Sequence, residues 1–360
     1  MKHRVTLILF IVAVQVVAIA ALGMYIYGKQ GARFVTSVDI LRRENFSFSQ
    51  TETLKHFMEP VATPGGRVET PEPPSWLTSK PRYTINSEGM NNPVDYPVQK
   101  PPRTFRIVTL GDSWTFGYLV NTEDNYPSQI EKLLNTSPTC KGTHFEVLNF
   151  GVPGYDLAYG VERFKTRAAK YDPDLVLWFV RDNNFAEPNE FFEERVPQAK
   201  KEMQERGDTP NVVLRSGNGG IEYVESTSGK SFFDNPEQGI GLIARKRTKE
   251  AFLSEWGIDG MIEYGRRQLA ALGEAYGGPL VVFTYPLMGE TELLHARIKT
   301  TLVDFAAERK AASYHEIAED LSVGNGLLPD FHPNEKGYAL IAQDLFDELV
   351  SRGLIPCGAP

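Results

Sequence analysis

Leu175-Val-Leu-Trp-Phe-Val180 places six apolar side chains in a row. Successive side chains of an extended segment point to opposite faces, so a strand with this sequence has no side that tolerates water. Such strands belong to parallel sheets with helices packed on both faces. Phe105 to Leu110, Phe145-Glu-Val-Leu-Asn149, Leu280-Val-Val-Phe-Thr284 and a weaker stretch from Ser313 to Ile317 share the character, giving five expected strands. Helical spacing of apolar residues falls between and after them, at Tyr126 to Leu134, Leu157 to Lys170, Ile258 to Tyr276, Glu290 to Arg309 and Glu335 to Val350. Alternating strands and helices imply an α/β fold with right-handed crossovers. Residues 186–255 break the rhythm with Glu/Lys-rich and Gly/Asn-rich stretches; they read as an insertion holding one helix near 190–206 and a hairpin around Val212 to Val224.

The amino-terminal part differs in kind. Val5 to Tyr27 is an apolar run of 23 residues interrupted only by Thr6, Gln15 and Gly23. At a rise of about 1.5 Å per residue it can cross a hydrocarbon layer of roughly 30 Å. The expectation is an uncleaved signal-anchor over residues 1–28, with the body of the protein extracytoplasmic, periplasmic or extracellular. Secretion after signal cleavage is the alternative, because Ala18-Ile-Ala20 resembles a small-residue cleavage site. Residues 29–82 read as a juxtamembrane segment and a linker, the stretch from Pro60 to Pro81 being rich in Pro, Gly, Ser and Thr and unsuited to a core. The domain proper is expected over 83–360, opening with a short strand and turn at Tyr83-Thr-Ile-Asn-Ser-Glu-Gly-Met90.

A net charge of -8 argues against a nucleic-acid partner, since phosphate binding needs clustered Lys and Arg. The densest basic run, Arg245-Lys-Arg247, reads as a solvated loop. Two cysteines, Cys140 and Cys357, exclude a multi-Cys metal site and leave room for one disulfide in an oxidising compartment.

The chemistry is expected where the strands end, because ligands of open parallel sheets bind outside the carboxyl ends of the strands. Gly111-Asp-Ser113 follows the first strand, where Gly111 allows the chain to reverse. Gly151-Val-Pro-Gly154 follows the second, Arg181-Asp-Asn-Asn184 the third, and Asp330-Phe-His332 precedes the last helix. A serine hydrolase needs a nucleophile, a base, a group that orients the base, and donors for the oxyanion. Each element alone is ordinary: Gly-Asp-Ser is usually a turn, Asn183 equally reads as a helix cap, and a single His is more often structural. Trp114, Trp178 and Trp256 read as core or lid packing in preference to sugar platforms.

In combination these segments resemble the SGNH/GDSL hydrolase superfamily. Val108-Thr-Leu-Gly-Asp-Ser-Trp-Thr-Phe-Gly117, Leu148-Asn-Phe-Gly-Val-Pro-Gly154 and His332-Pro-Asn-Glu-Lys-Gly337 resemble its Ser, Gly and His blocks, and Asn86-Ser-Glu-Gly89 resembles an upstream feature of extracytoplasmic bacterial members. The likeness runs from about Tyr83 to Gly353, with 186–255 unmatched. Two segments depart from the pattern. The Asn block usually reads Gly-x-Asn-Asp, whereas Arg181 and Asn184 stand at its ends here; Asn183 aligns with the oxyanion donor and Asn184 is its neighbouring alternative. The His block often reads Asp-x-x-His, but Asp330 is only two residues from His332, with Asp320 as a fallback.

The resemblance implies a flavodoxin-like three-layer α/β/α sandwich around a five-stranded parallel sheet. It also implies a Ser113–His332–Asp330 triad, an oxyanion hole from Ser113, Gly154 and Asn183, and no metal or organic cofactor. Asp112 is expected to brace the turn. The implied reaction is hydrolysis of an ester, with an O-acetyl group on a cell-envelope carbohydrate or lipid as the expected substrate. The alternatives are an O-acyltransferase using the same serine and a non-catalytic glycan-binding protein on the same fold.

Overall fold

A computed structural model describes residues 67–69, 77, 81–86, 88–217, 220–227, 229, 231–232, 236–285, 292–318 and 321–358. The apolar run at Val5 to Tyr27, the juxtamembrane segment and Asp320 lie outside the described residues. Among those described, no helix is long and apolar enough to cross a membrane.

In chain order the elements are β1 (Thr104–Leu110), α1 (Ser113–Phe116), α2 (Tyr126–Thr136), β2 (His144–Asn149), α3 (Leu157–Arg163), β3 (Leu175–Phe179) and α4 (Asp182–Ala186). They continue with α5 (Asn189–Glu205), α6 (Pro236–Ala275), β4 (Leu280–Thr284), α7 (Glu292–Glu308), β5 (Ala312–Glu316) and α8 (Glu335–Ser351). The five strands form one parallel sheet in the order β2-β1-β3-β4-β5, with Ile107 of β1 level with both Val147 and Leu175. This is the flavodoxin-like order. After β2 the chain crosses to the other side of β1, so the loops following β1 and β3 diverge and open a crevice at the carboxyl edge.

Strand alternation divides the core between the two faces. Leu175, Leu177 and Phe179 pack with Ile130 and Leu134 of α2 and with Ile341, Leu345 and Leu349 of α8. Val176, Trp178 and Val180 meet Leu157 and Val161 of α3, Leu269 and Leu272 of α6, and Ile298 and Leu302 of α7. Each such side chain contributes roughly 1.5–3 kcal/mol on burial, and neither face of β3 retains an exposed position. Trp114 and Trp178 are both buried, and Trp256 is partly buried against the second of these clusters.

Three segments differ from the sequence-based expectation. Arg67–Glu69, within the expected spacer, pairs antiparallel with Arg82–Thr84. Helix α6 begins 22 residues before the expected start at Ile258 and is broken at Gly257, where φ is 64°. Its first half carries Gly239 and Gly241, which weaken helical preference. Packing of Ile240, Ile243 and Ala244 against Met203 of α5 and Val212 overrides that preference. The run Arg245-Lys-Arg247 is therefore helical, and Arg245 pairs with Glu187. The hairpin Val212–Gly217 with Gly220–Glu225 lies where the alternation places it.

Cys140, in the turn after α2, is disulfide-bonded to Cys357, beyond α8. The bond ties together the two helices of one sheet face across 217 residues. Replacing both cysteines by serine is expected to lower unfolding free energy by about 2–4 kcal/mol. Urea titration of the two proteins measures this, and coincident midpoints would show that the cross-link contributes nothing.

Candidate active site

Gly111 ends β1 with φ 149°, and a Cβ there would lie 2.2 Å from Thr115 Oγ1. The chain therefore turns into α1 with Ser113 as its first residue, one turn of helix where an open loop was expected. Asp112 caps that turn by accepting the Trp114 N–H at 2.9 Å. The Ser113 N–H, at the helix start, has no partner among the described residues. Asn91 secures the other end of α1, its side-chain amide donating to the Phe116 carbonyl at 2.8 Å. Nothing in the spacing of Asn91 from Ser113 signals this contact, which the upstream loop delivers through its fold.

His332 comes from the loop before α8, 219 residues later, and its Nε2 lies 2.8 Å from Ser113 Oγ. Its Nδ1 is 2.9 Å from Asp330 Oδ2, and its backbone N–H donates to Asp330 Oδ1 at 3.2 Å. A carboxylate only accepts, so Nδ1 carries the proton and Nε2 presents its lone pair to the serine. The short Asp-Phe-His spacing works because Phe331 adopts a left-handed conformation, φ 67°, turning the two flanking side chains toward one another. Such a conformation is costly for a bulky residue. Leu328 compensates from both sides, its carbonyl accepting the Phe331 N–H and its own N–H donating to the His332 carbonyl. The Tyr118 ring meets the imidazole edge-on at 4.8 Å, a contact the sequence did not flag although Tyr118 directly follows the Ser block. Burial pushes the Tyr118 phenol well above its ordinary pKa, with Asp330 adding to the shift, so it stays neutral beside the pair.

Gly154 occupies the third position of a turn in which the Tyr155 N–H donates to the Val152 carbonyl. With Pro153 before it and φ 79°, the turn has the features of type II, whose central peptide N–H is not used by the turn itself. The Gly154 N–H has no partner among the described residues.

The segment after β3 resolves its two neighbouring amides. Asn184 is buried with both ends engaged: Oδ1 accepts the Arg181 N–H at 2.6 Å, and Nδ2 donates to the Tyr155 carbonyl at 3.0 Å and to Asp112 at 3.4 Å. Asn183 is half-buried, accepts from Lys249 through Oδ1 at 3.3 Å, and has an Nδ2 without a partner among the described residues. Arg181, which replaces the usual glycine, donates Nε and Nη2 to Asp112 Oδ2 at 2.8 and 2.6 Å and lies over the Trp114 ring. The arginine thus neutralises the nearly buried carboxylate next to Ser113.

A second acid–base pair lies on the other side of α4, where His295 Nδ1 approaches Asp182 at 3.1 Å. Lys299 and Tyr314 both pair with Glu316 close by. Among the described residues no group of His, Cys, Asp and Glu is arranged to hold a metal ion.

No family model matches the chain, and no curated protein does. Solved structures do show similarity. One is a protein of the G-D-S-L family from Desulfitobacterium hafniense DCB-2, with 16% identity, 67% of this chain and 98% of that chain covered, and a TM-score of 0.36. Another is a family two carbohydrate esterase from Clostridium thermocellum in complex with cellohexaose, with 13% identity, 73% and 68% covered, and a TM-score of 0.41. A third is an acetyl xylan esterase from Butyrivibrio proteoclasticus, with 12% identity, 71% and 67% covered, and a TM-score of 0.37. At such identities and scores the chemistry has to be read from the site's own geometry.

Two outcomes follow from the charged pairs. Arg181→Met leaves Asp112 buried without its counter-ion and is expected to cost about 3–5 kcal/mol of stability, much of it recovered by adding Asp112→Asn. Denaturant titration of the single and double variants tests this, and an undiminished Arg181→Met would contradict it. The hydrogen bond that His295 donates to Asp182 raises the His295 pKa above 6.5, so the pair stabilises the fold fully below that value and loses its effect as pH rises through the raised one. The stability gap between the protein and His295→Asn should accordingly be widest in acid and narrow with rising pH. A gap that widens instead would reverse the assignment.

Proposed function

We propose that this protein is a serine ester hydrolase of the SGNH/GDSL type. The observation that carries the proposal is the continuous line Ser113 Oγ, His332 Nε2, His332 Nδ1, Asp330 Oδ2, with steps of 2.8 and 2.9 Å. Such a line is the arrangement in which a serine hydroxyl loses its proton to imidazole as it attacks a carbonyl.

In the proposed reaction His332 Nε2 takes the Ser113 proton while Oγ bonds to the ester carbon. Asp330 keeps the proton on Nδ1 and stabilises the imidazolium that forms. The negative charge on the former carbonyl oxygen is met by the N–H groups of Ser113 and Gly154 and by the Asn183 amide. Loss of one such donor typically costs about 3–4 kcal/mol of transition-state stabilisation. His332 then returns its proton to the departing alcohol, and water, activated by the same imidazole, releases the acyl group from Ser113. No step requires a group from outside the chain other than water.

The proposed substrate is a small acyl ester, an O-acetyl group on a cell-envelope carbohydrate or lipid. Support comes from the apolar run at Val5 to Tyr27, which suits an anchor holding the domain outside the cytoplasm. The Cys140–Cys357 disulfide is consistent with an oxidising compartment.

Turnover of p-nitrophenyl acetate by the full chain, compared with Ser113→Ala, tests the reaction. The variant is expected to lose about four orders of magnitude or more in kcat. Equal rates would sink the proposal.

A further inference from the structure

The segment between β3 and β4 packs as a helical layer, and two of its side chains reach the expected oxyanion donors from behind. We propose that Asn189 and Lys249 are positioning residues of the oxyanion hole, each holding the acceptor end of one donor unit so that the donor end faces the reacting carbonyl. This rests on the reading of Ser113 as nucleophile with Gly154 and Asn183 as donors.

Asn189, at the start of α5, donates its side-chain N–H to the Gly154 carbonyl at 2.8 Å. Its Oδ1 accepts the Asp156 N–H at 2.7 Å, while Asp156 Oδ2 accepts the Asn189 N–H at 2.8 Å. This reciprocal pair locks the amide of Asn189. Tyr264 of α6 donates to the same Asp156 carboxylate at 2.5 Å, and Asp156 also caps α3 through the Tyr159 N–H. Gly154, at φ 79°, has no side chain to hold it in the turn. The bond to its carbonyl fixes the Gly154–Tyr155 peptide and so anchors one side of the turn that carries the Gly154 N–H. Asn189 is 8% exposed and Asp156 5%, so water competes little with either contact.

Lys249, on α6, donates to Asn183 Oδ1 at 3.3 Å and lies 3.8 Å from Glu187. An ammonium carries donors and no acceptor, so the amide can show it only oxygen. The Asn183 Nδ2 is thereby turned away from the ammonium and left to donate elsewhere. A carboxamide with no such neighbour flips freely between its two faces, and half of its orientations would present a carbonyl to the developing negative charge. Arg245 also pairs with Glu187, which holds that carboxylate beside the lysine. The two contacts come from different helices yet act on the same hole, which makes the segment a structural part of the site.

The experiment measures kcat and KM of the full chain on p-nitrophenyl acetate. Lys249→Met retains the alkyl stem and removes the donor; kcat is expected to fall about ten-fold with KM within two-fold, and Lys249→Arg to restore most of it. In an Asn183→Ala background Lys249→Met should have no further effect, because the lysine acts through that amide. Asn189→Ala is expected to lower kcat similarly, and Lys249→Met keeps the test open should Asn189→Ala not fold. Wild-type kcat in Lys249→Met, or full additivity with Asn183→Ala, overturns the inference while Ser113→Ala remains inactive. Activity of Ser113→Ala equal to that of the native protein instead removes the underlying functional reading.

Discussion

A parallel sheet apolar on both faces cannot exist in water alone. The first four strands of this one are each followed by a crossover that lays a helix on one face or the other, and the order β2-β1-β3-β4-β5 is what those crossovers leave behind. The site is a by-product of that requirement. Where the chain leaves β2 and returns on the far side of β1, neighbouring loops part, and α1, the Gly154 turn and α4 are brought to one edge. None of these segments is long enough to form a pocket unaided, and their mutual placement is set by the register of the strands beneath them.

The loop bearing His332 is governed by a different constraint. It belongs to the sheet face covered by α8 and has to reach across to α1 with both its carboxylate and its imidazole in line. Asp330 and His332, two residues apart, would share one side of an extended chain but stand apart along it. The left-handed Phe331 turns the chain between them and brings carboxylate and imidazole within hydrogen-bond distance, and hydrogen bonds to both sides of Leu328 hold the turn. Strain at one residue is thus balanced by local backbone pairing, a recurrent arrangement at functional sites.

Charge is managed just as locally. Asp112 caps α1, but burial of its carboxylate next to Ser113 requires a counter-charge, and Arg181 supplies it where the pattern that the sequence resembles has glycine. The substitution that looks like damage to a motif is, in three dimensions, one half of an ion pair whose other half stands in a different motif. Asn184 likewise keeps a bracing role, which separates it from Asn183.

Much was legible in the amino-acid order alone. The strands at Leu175–Phe179 and Leu280–Thr284 are nearly continuous apolar runs, and the alternation of helices and strands places the other three around them. Ser113, Gly154 and His332 stand at strand and helix boundaries that local patterning marks. Several matters were decided only by the tertiary structure. Helix α6 extends through Gly239 and Gly241 because Ile240 and Ile243 find partners on α5, which no local propensity contains. The distinction between Asn183 and Asn184, and the contacts of Asn91, Asn189 and Lys249, depend on side chains from distant segments converging on one backbone. Local sequence determines what a segment can bury, whereas the orientation of a polar group is set by whatever partner the folded chain brings to it.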